Sequence, residues 1–238
     1  MNTAKDVYDK TADIYDYRHQ SPTTKIMRER EKKFLARVKG LVLDIGCGTG
    51  CHLRLFNDII GLDISQEMLK KALSTGKPLV LASAEQMPFK DETFDTVLCL
   101  FSVLNLCDHK KVVHEINRVL KVKGIAVVSV ASVYDKNYSY NEKKNLKIDE
   151  YAKTKKFFVN KQKIRMRLFT KDEFINIFQE NGFRTESFDS LFILQKPKWN
   201  TFEGFSLVER LRLFLERFMP KEYGCVYFGI FKKSIPSR

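Results

Sequence analysis

The chain has 238 residues, 44% of them hydrophobic, and a formal net charge of +13 at pH 7. This length and composition predict a folded domain with a substantial core. No apolar run approaches the roughly 20 residues that cross a bilayer, and residues 1–6 lack the basic segment and apolar core of a secretion signal. The five cysteines include no C-x-x-C pair, so we expect reduced thiols, no metal site and a cytoplasmic protein.

Helical and strand-like segments alternate along the chain. In chain order they are helices at 3–14 and 23–38, strands at 41–45 and 59–63, a helix at 66–72, strands at 79–82 and 96–101, a helix at 109–120, a strand at 124–132, a helix at 171–181, a strand at 187–194, a helix at 207–218 and a strand at 224–231. The alternation indicates an α/β protein whose parallel sheet is covered by helices on both faces. No internal repeat is present, so we expect a single domain over residues 1–238, with residues 1–40 as an N-terminal helical cap.

The apolar run of residues 41–45 leads directly into a glycine-rich turn, D-x-G-x-G-x-G. The acid is Asp44 and the glycines are Gly46, Gly48 and Gly50. Glycines directly after a buried strand let the backbone turn sharply and pass close to a bound nucleoside. The spacing is neither that of the dinucleotide fingerprint nor that of the phosphate-binding loop, which needs a lysine. Asp44 would repel a pyrophosphate, but it suits an ammonium group such as that of S-adenosylmethionine.

A second acid follows at the end of the next predicted strand. Asp63 comes thirteen positions after Gly50, where a nucleotide-binding fold supplies an acceptor for both ribose hydroxyls. Ser65 can cap the next helix. Ile64 and Met68 can offer apolar surface to an adenine ring. The two acids and the glycine turn together predict a nucleoside cofactor.

Three later segments extend the pattern: A-S-A-E-Q-M-P-F at residues 82–89, T-F-D-T-V-L-C-L at 93–100, and I-N-R-V-L-K-V-K-G at 116–124. With the glycine turn and Asp63, they make most of the first 130 residues resemble the class I S-adenosylmethionine-dependent methyltransferases. The resemblance implies a Rossmann-like fold with a seven-stranded, mostly parallel sheet whose final pair is antiparallel. It also implies S-adenosylmethionine as cofactor and transfer of its methyl group.

The resemblance assigns the cofactor to residues of the glycine turn, the second strand and the later segments: Asp44, Gly46, Cys47, Gly48, Gly50, Asp63, Ile64, Met68, Ser83, Ala84, Glu85 and Leu100. Ser83 stands where many relatives place an acid for the adenine amino group, although its hydroxyl can still accept a hydrogen bond. Tyr15 and Arg18 can close over the cofactor, or the aromatic residues of this segment can simply pack a capping helix. His109 is the best-placed histidine for a general base.

The positive charge is distributed unevenly. Residues 41–131 are neutral, whereas residues 132–170 carry an excess of seven positive charges interleaved with aromatic residues. Cations contact phosphates and exposed rings stack on bases, so this segment, the expected substrate lid, suits RNA. Solubility and packing of the lid on the core are the alternative explanation. A helical insertion is expected at residues 195–222, between the last two strands.

A narrower resemblance concerns the methyl acceptor. Residues 7–18 with Ser21 and Pro22, and residues 163–174 after the lysine-rich insertion, resemble the methyltransferases that modify wobble uridine in tRNA. Both elements also occur in small-molecule methyltransferases, including those acting on quinones. We expect tRNA as acceptor, with a small molecule, or a catalytically silent partner protein, as the alternatives. The tRNA enzymes often work with a small activating subunit on an edge strand, for which residues 79–82 are the candidate.

Overall fold

The computed structural model describes residues 3–18, 20–101, 103–134, 152–157, 162–198 and 203–235. Its helices are α1 (Ala4–Arg18), α2 (Pro22–Leu35), α3 (Gln66–Ala72), α4 (Val103–Leu106), α5 (His109–Val119), α6 (Lys171–Glu180) and α7 (Leu207–Leu215). Its strands are β1 (Val42–Ile45), β2 (Ile59–Asp63), β3 (Leu79–Leu81), β4 (Phe94–Cys99), β5 (Leu120–Ala131), β6 (Ala152–Phe157), β7 (Gln162–Arg167), β8 (Phe183–Leu191) and β9 (Val226–Lys233).

Seven strands form one sheet in the order β3-β2-β1-β4-β5-β9-β8. The first five are parallel to their neighbours, and β9 runs antiparallel between β5 and β8. This confirms the predicted class I methyltransferase topology. The strand order reverses beside β1, and ligands of such sheets bind beyond the carboxyl ends of the strands at that point. β6 and β7 form a separate antiparallel hairpin within the segment 132–170.

The sheet separates two apolar cores. On one face Leu43 and Ile45 of β1 pack with residues of α5 and α6, among them Val112, Ile116, Phe174 and Phe178. On the other face Val42 packs with Met27 and Phe34 of α2 and with Leu69 of α3. Successive strand residues point to opposite faces, so both sides of β1 are buried. This explains its unbroken apolar sequence and confirms that helices cover both faces.

Side-chain caps fix where several helices begin. The carboxylate of Asp108 accepts hydrogen bonds from the backbone N–H groups of Lys110 and Lys111 at the start of α5. Thr170 and Glu173 form a reciprocal capping box at the start of α6.

No helix in the described part of the chain is long and apolar enough to span a membrane.

Several predicted boundaries differ from the structure by two to four residues: the ends of α1, α2 and α7, both ends of β4, β8 and β9, and the start of β5. β8 begins at Phe183 rather than at residue 187. The prediction missed residues 183–186 because three of the four are polar, and the strand is irregular between Thr185 and Ser187. β5 begins at Leu120, directly after α5, rather than at residue 124. The strand is irregular near its start, where Lys123 has a φ of 66° and the pairing with β4 shifts between Phe94 and Thr96.

The predicted lid is described only in part. Residues 135–151 and 158–161 lie outside the described residues, and for β6 and most of β7 the structure describes the backbone course alone. β7 contacts both α1 and α4. Asn105 of α4 donates a 3.0 Å hydrogen bond to the carbonyl of Ala131 and another to that of Arg167. These contacts hold the base of the hairpin beside α4.

Candidate cofactor site

The glycine turn after β1 brings the backbone close to two neighbouring helices. Gly46 has a φ of 69°, and a Cβ there would lie 2.4 Å from a methyl carbon of Val103 at the start of α4. Gly48 has a φ of 55°, and its Cβ position lies 3.7 Å from the ring of Tyr15 on α1. Both positions therefore favour glycine, since a side chain would be strained at Gly48 and would also clash at Gly46.

A cavity of about 440 Å³ opens at the carboxyl ends of β1, β2 and β4. Twelve of the fourteen predicted cofactor residues line it: Tyr15, Asp44, Gly46, Cys47, Gly48, Asp63, Ile64, Met68, Ser83, Ala84, Glu85 and Leu100. Gly50 does not line the cavity, and its Cβ position faces Thr75 and Ala72 instead. The side chain of Arg18 lies outside the described residues.

Asp63 is held in place by the backbone of the glycine turn and of α3. One carboxylate oxygen accepts a 2.8 Å hydrogen bond from the N–H of Gly48, and the other accepts a 2.8 Å bond from the N–H of Ser65. The side chain is buried, which raises its pKa, although these backbone hydrogen bonds act in the opposite direction. A carboxylate can accept about four hydrogen bonds, so Asp63 retains acceptor capacity beside its backbone donors. The pair of oxygens fits the two hydroxyls of a ribose.

Asp44 lines the cavity, and one of its carboxylate oxygens accepts no hydrogen bond from the described residues. The side chain is buried, and among the described residues its Oδ2 atom has no hydrogen-bond partner. Burial raises the pKa of Asp44 to about 6, while the nearby charge of His52 lowers it. Burying a carboxylate is costly unless a cation or donor compensates it. An ammonium group of a ligand meets that requirement, so the residues present fit the amino acid end of S-adenosylmethionine.

His52 and Glu31 complete a buried ionic cluster that the sequence did not reveal. Nε2 of His52 lies 3.4 Å from Oε2 of Glu31 on α2, and Nδ1 lies 3.8 Å from Oδ2 of Asp44. Burial lowers the pKa of His52, but its contacts with Cys51 and Glu31 and the charge of Asp44 outweigh burial and raise the pKa well above the usual range. The ring of His52 therefore lies between two buried acids, Glu31 and Asp44.

Phe101 and Arg28 also line the cavity, and neither was predicted. Phe101, just beyond β4, has a φ of 54°, and its ring is stacked on His52 with the centroids 5.7 Å apart. The guanidinium of Arg28 also lies over the ring of Phe101, 5.8 Å from its centroid. Arg28 supplies a cation that suits the carboxylate of an amino acid ligand.

The opposite end of the cavity is formed by residues 82–85. The Ser83 hydroxyl accepts a 3.1 Å hydrogen bond from the N–H of Glu85, so one of its two lone pairs remains for a ligand. The carboxylate of Glu85 accepts a hydrogen bond from the N–H of Asp108.

The loop that follows is fixed by an ion pair on α5. Arg118 and Glu115 form a bidentate pair, and Arg118 also donates to the carbonyls of Met87 and Phe89.

Acidic residues of α1 attach this helix to the glycine turn and to α3. Asp9 accepts a hydrogen bond from the hydroxyl of Ser65, Asp16 accepts one from Thr49, and Asp13 pairs with Lys71, each at 2.6 Å. The acids at positions 9, 13 and 16 share one helix face. Burial raises the pKa of Tyr15 well above its usual range, so its hydroxyl stays protonated.

His109 does not line this cavity. It borders a second cavity of about 590 Å³ together with Arg167 and Phe169, and its ring meets Phe169 edge-on at 5.5 Å. Burial and the charge of Arg167 lower the pKa of His109 to about 4, so the ring is neutral at pH 7. Its role as a base stays a prediction.

Within the described ranges, no group of three or more metal-ligating side chains is present.

Known proteins match this chain in sequence. A family described as "Methyltransferase domain" matches residues 43–128. Demethylmenaquinone methyltransferase of Staphylococcus carnosus is 30% identical over 197 residues, which cover 74% of this chain and 80% of that protein. An uncharacterized protein of Methanocaldococcus jannaschii is 45% identical over 135 residues. That match covers 55% of this chain, which spans about half (53%) of that relative's length.

Solved structures agree with the topology. A S-adenosylmethionine-dependent methyltransferase of Thermotoga maritima has a TM-score of 0.64 at 21% identity and covers 96% of this chain and 99% of its own. A methyltransferase of Haloferax volcanii, solved in complex with the Trm112 methyltransferase activator, has a TM-score of 0.64 at 20% identity, covering 99% and 100%. The fold and cavity define a nucleoside-binding α/β protein. The chain belongs to the S-adenosylmethionine-dependent methyltransferases.

Proposed function

We propose that the protein binds S-adenosylmethionine in the cavity of about 440 Å³ and transfers its methyl group to an acceptor. The observation that carries this proposal is the buried Oδ2 of Asp44, which lacks a hydrogen-bond partner among the described residues. In this assignment Asp44 holds the ammonium group and Asp63 holds the ribose. When bound, the cofactor supplies a methyl group on a cationic sulfonium, which a nucleophile can displace.

In such a reaction the chain chiefly positions the cofactor and the acceptor and excludes water from the cavity. The carboxylates of Asp63 and Asp44 fix two ends of the cofactor, which restricts the approach of the acceptor to one direction. Tyr8 and Tyr15 of α1 meet edge-on at 6.0 Å and line the cavity, so they exclude water from it. If His109 takes a proton from the acceptor, His109→Ala lowers kcat by ~100-fold.

Isothermal titration calorimetry with S-adenosylmethionine and its demethylated product tests the cofactor assignment. Asp63→Ala removes two charge-assisted hydrogen bonds to the ribose, so we expect Kd to rise by about 100-fold. The matched control is Asp58→Ala, because Asp58 is exposed and lies just before the opposite end of β2. Equal affinity of the two variants, or no binding by the wild-type protein, contradicts the proposal.

For the acceptor we propose tRNA. The positive charge of residues 132–170 supports it, together with the contacts of β7 with α1 and α4, both of which contribute to the cavity wall. Several phosphate contacts make binding fall steeply with salt. We therefore expect binding to bulk tRNA to weaken by at least tenfold between 50 and 200 mM salt. Binding that is absent or insensitive to salt argues against tRNA.

A small-molecule acceptor of the quinone type is the second candidate. It is favoured by the likeness to demethylmenaquinone methyltransferase over most of both chains. Methyl transfer from radiolabelled cofactor into cell extract, separated into RNA, protein, lipid and small molecules, distinguishes the candidates. Label in RNA supports tRNA, and label in the lipid fraction supports the quinone. Cofactor binding without label in any fraction supports a catalytically silent protein.

We also propose that a small activating protein docks on β3. β3 ends the order of the seven described sheet strands, and Leu81 is exposed. The Haloferax methyltransferase in complex with an activator supports the idea, since its fold is the same. A candidate activator from the same genome, co-expressed with this chain, should co-purify with it. Leu81→Glu should abolish that association, and its persistence would place the contact elsewhere.

A further inference from the structure

α7 presents an apolar arc to solvent. The six side chains of this arc are between 43% and 84% exposed: Leu207, Val208, Leu211, Phe214, Leu215 and Phe218. At 100° per residue they span about 120° of the helix and its continuation through the turn Glu216–Phe218. None of the nine residues of α7 is buried. Scattered exposed apolar residues are ordinary, but a contiguous helical arc marks an interaction site.

The opposite side of α7 is anchored, which fixes the direction in which the apolar arc faces. Ser206 and Glu209 form a capping box, and Glu209 pairs with Lys198 at 2.9 Å. The buried carboxylate of Glu216 accepts hydrogen bonds from the backbone N–H groups of residues 192, 194 and 195. Leu213 packs on the core. The helix is therefore held in place with its leucines and phenylalanines outward.

The charged residues that border the arc indicate which kind of partner it binds. Arg210 and Arg217 border the arc on one side and Arg212 borders it on the other, as their 100° spacing requires. The two acids of residues 207–218, Glu209 and Glu216, both lie on the anchored side. A second copy of the chain would bring arginines against arginines, in a protein whose net charge is already +13.

An apolar helical face with basic residues along its borders is typical of helices that lie in the interface of an anionic bilayer. The arginine side chains can reach the lipid phosphates while the apolar residues enter the acyl boundary. We propose that residues 207–218 dock the protein onto an anionic lipid surface. The proposal is independent of the cofactor and of the acceptor.

Vesicle co-sedimentation tests this docking. Vesicles of phosphatidylglycerol and phosphatidylcholine are compared with vesicles of phosphatidylcholine alone. Leu211→Glu/Phe218→Glu should lower binding to the anionic vesicles at least tenfold, since it removes two apolar groups that enter the acyl boundary and adds charges that the anionic lipids repel. The matched control is Leu55→Glu/Leu73→Glu, which alters charge equally at residues that are 58% and 67% exposed. The control should bind within about twofold of the wild-type protein.

A second variant tests the charge requirement with the apolar arc intact. Arg210→Gln/Arg212→Gln/Arg217→Gln should reduce binding to anionic vesicles to the level seen with neutral vesicles. Calorimetry with S-adenosylmethionine should give the wild-type affinity for every variant, which separates docking from the cofactor site and reports folding. Equal vesicle binding by the two glutamate variants, or none by the wild-type protein, overturns the proposal. Self-association lost in Leu211→Glu/Phe218→Glu, without vesicle binding, assigns the arc to a second copy and also overturns it.

Discussion

Replacing Gly46 by alanine tests how tightly the turn after β1 is constrained. Gly46 and Gly76 have nearly the same φ, 69° and 68°, but only at Gly46 does an added Cβ meet a neighbour, 2.4 Å from a methyl carbon of Val103. At Gly76 nothing described lies within 4 Å. The two substitutions therefore share the backbone strain and differ in the clash.

The expected magnitudes follow from that difference. Alanine in the left-handed region costs about 1–2 kcal/mol at either site. The clash with a β-branched side chain, which has few alternative rotamers, adds about 1–3 kcal/mol at Gly46. We expect Gly46→Ala to lower the free energy of unfolding by about 2–5 kcal/mol and Gly76→Ala by about 1–2 kcal/mol.

Urea denaturation measures these differences, and calorimetry with S-adenosylmethionine measures their effect on the site. Gly46→Ala should weaken cofactor binding, because relieving the clash moves the turn or α4, and both line the cavity. Gly76→Ala should leave the affinity unchanged, because Gly76 does not line it. Equal losses of stability in the two variants, or wild-type affinity in Gly46→Ala, would refute the reasoning.

Three further predictions concern charges around the cavity. With the pKa of Asp44 at about 6, affinity for S-adenosylmethionine should fall as pH drops below 6, and Asp44→Asn should remove this dependence in calorimetry between pH 5 and 7. The charge of His52 lowers the pKa of Asp44, so in His52→Gln the loss of affinity should begin at higher pH; an unchanged profile contradicts their coupling. Arg118→Ala should lower the free energy of unfolding by about 2–4 kcal/mol in denaturant titrations, because it breaks five hydrogen bonds. The exposed control, Arg184→Ala, should cost under ~1 kcal/mol, and equal losses would contradict this role.

Local sequence signals predicted the elements around the cavity well. The predicted bounds of β2 and α3 equal the observed ones, Ile59–Asp63 and Gln66–Ala72. Asp63 ends the strand and Ser65 caps the helix by accepting a hydrogen bond from the N–H of Met68, so the polar residues at this junction mark both boundaries. The edge strand β8 was predicted less well, since packing and pairing, rather than an apolar pattern, define its start.

The site was predictable where its residues lie in one continuous motif. The glycine turn, residues 63–68 and residues 83–85 each contribute neighbours in sequence. Glu31 and His52 are 21 positions apart and meet only because α2 packs against the turn after β1. No local spacing identifies such a pair, and Cys51-His52 directly after the turn is the only sequence signal that points to it.

The polar attachment of α1 affects how fast a ligand leaves the cavity. Among the described side chains of α1, few apolar groups are buried, chiefly Val7 and Ala12, whereas Asp9, Asp13 and Asp16 supply polar ties to the rest of the chain. A segment attached by few buried apolar groups and mainly by polar contacts opens at a fraction of the global free energy of unfolding. We therefore expect residues 3–18 to exchange amide hydrogens earlier than the sheet, and salt to speed this exchange by screening the ion pair between Asp13 and Lys71. The rate at which a molecule leaves the cavity would then follow the opening of α1 rather than the strength of the contacts beneath it.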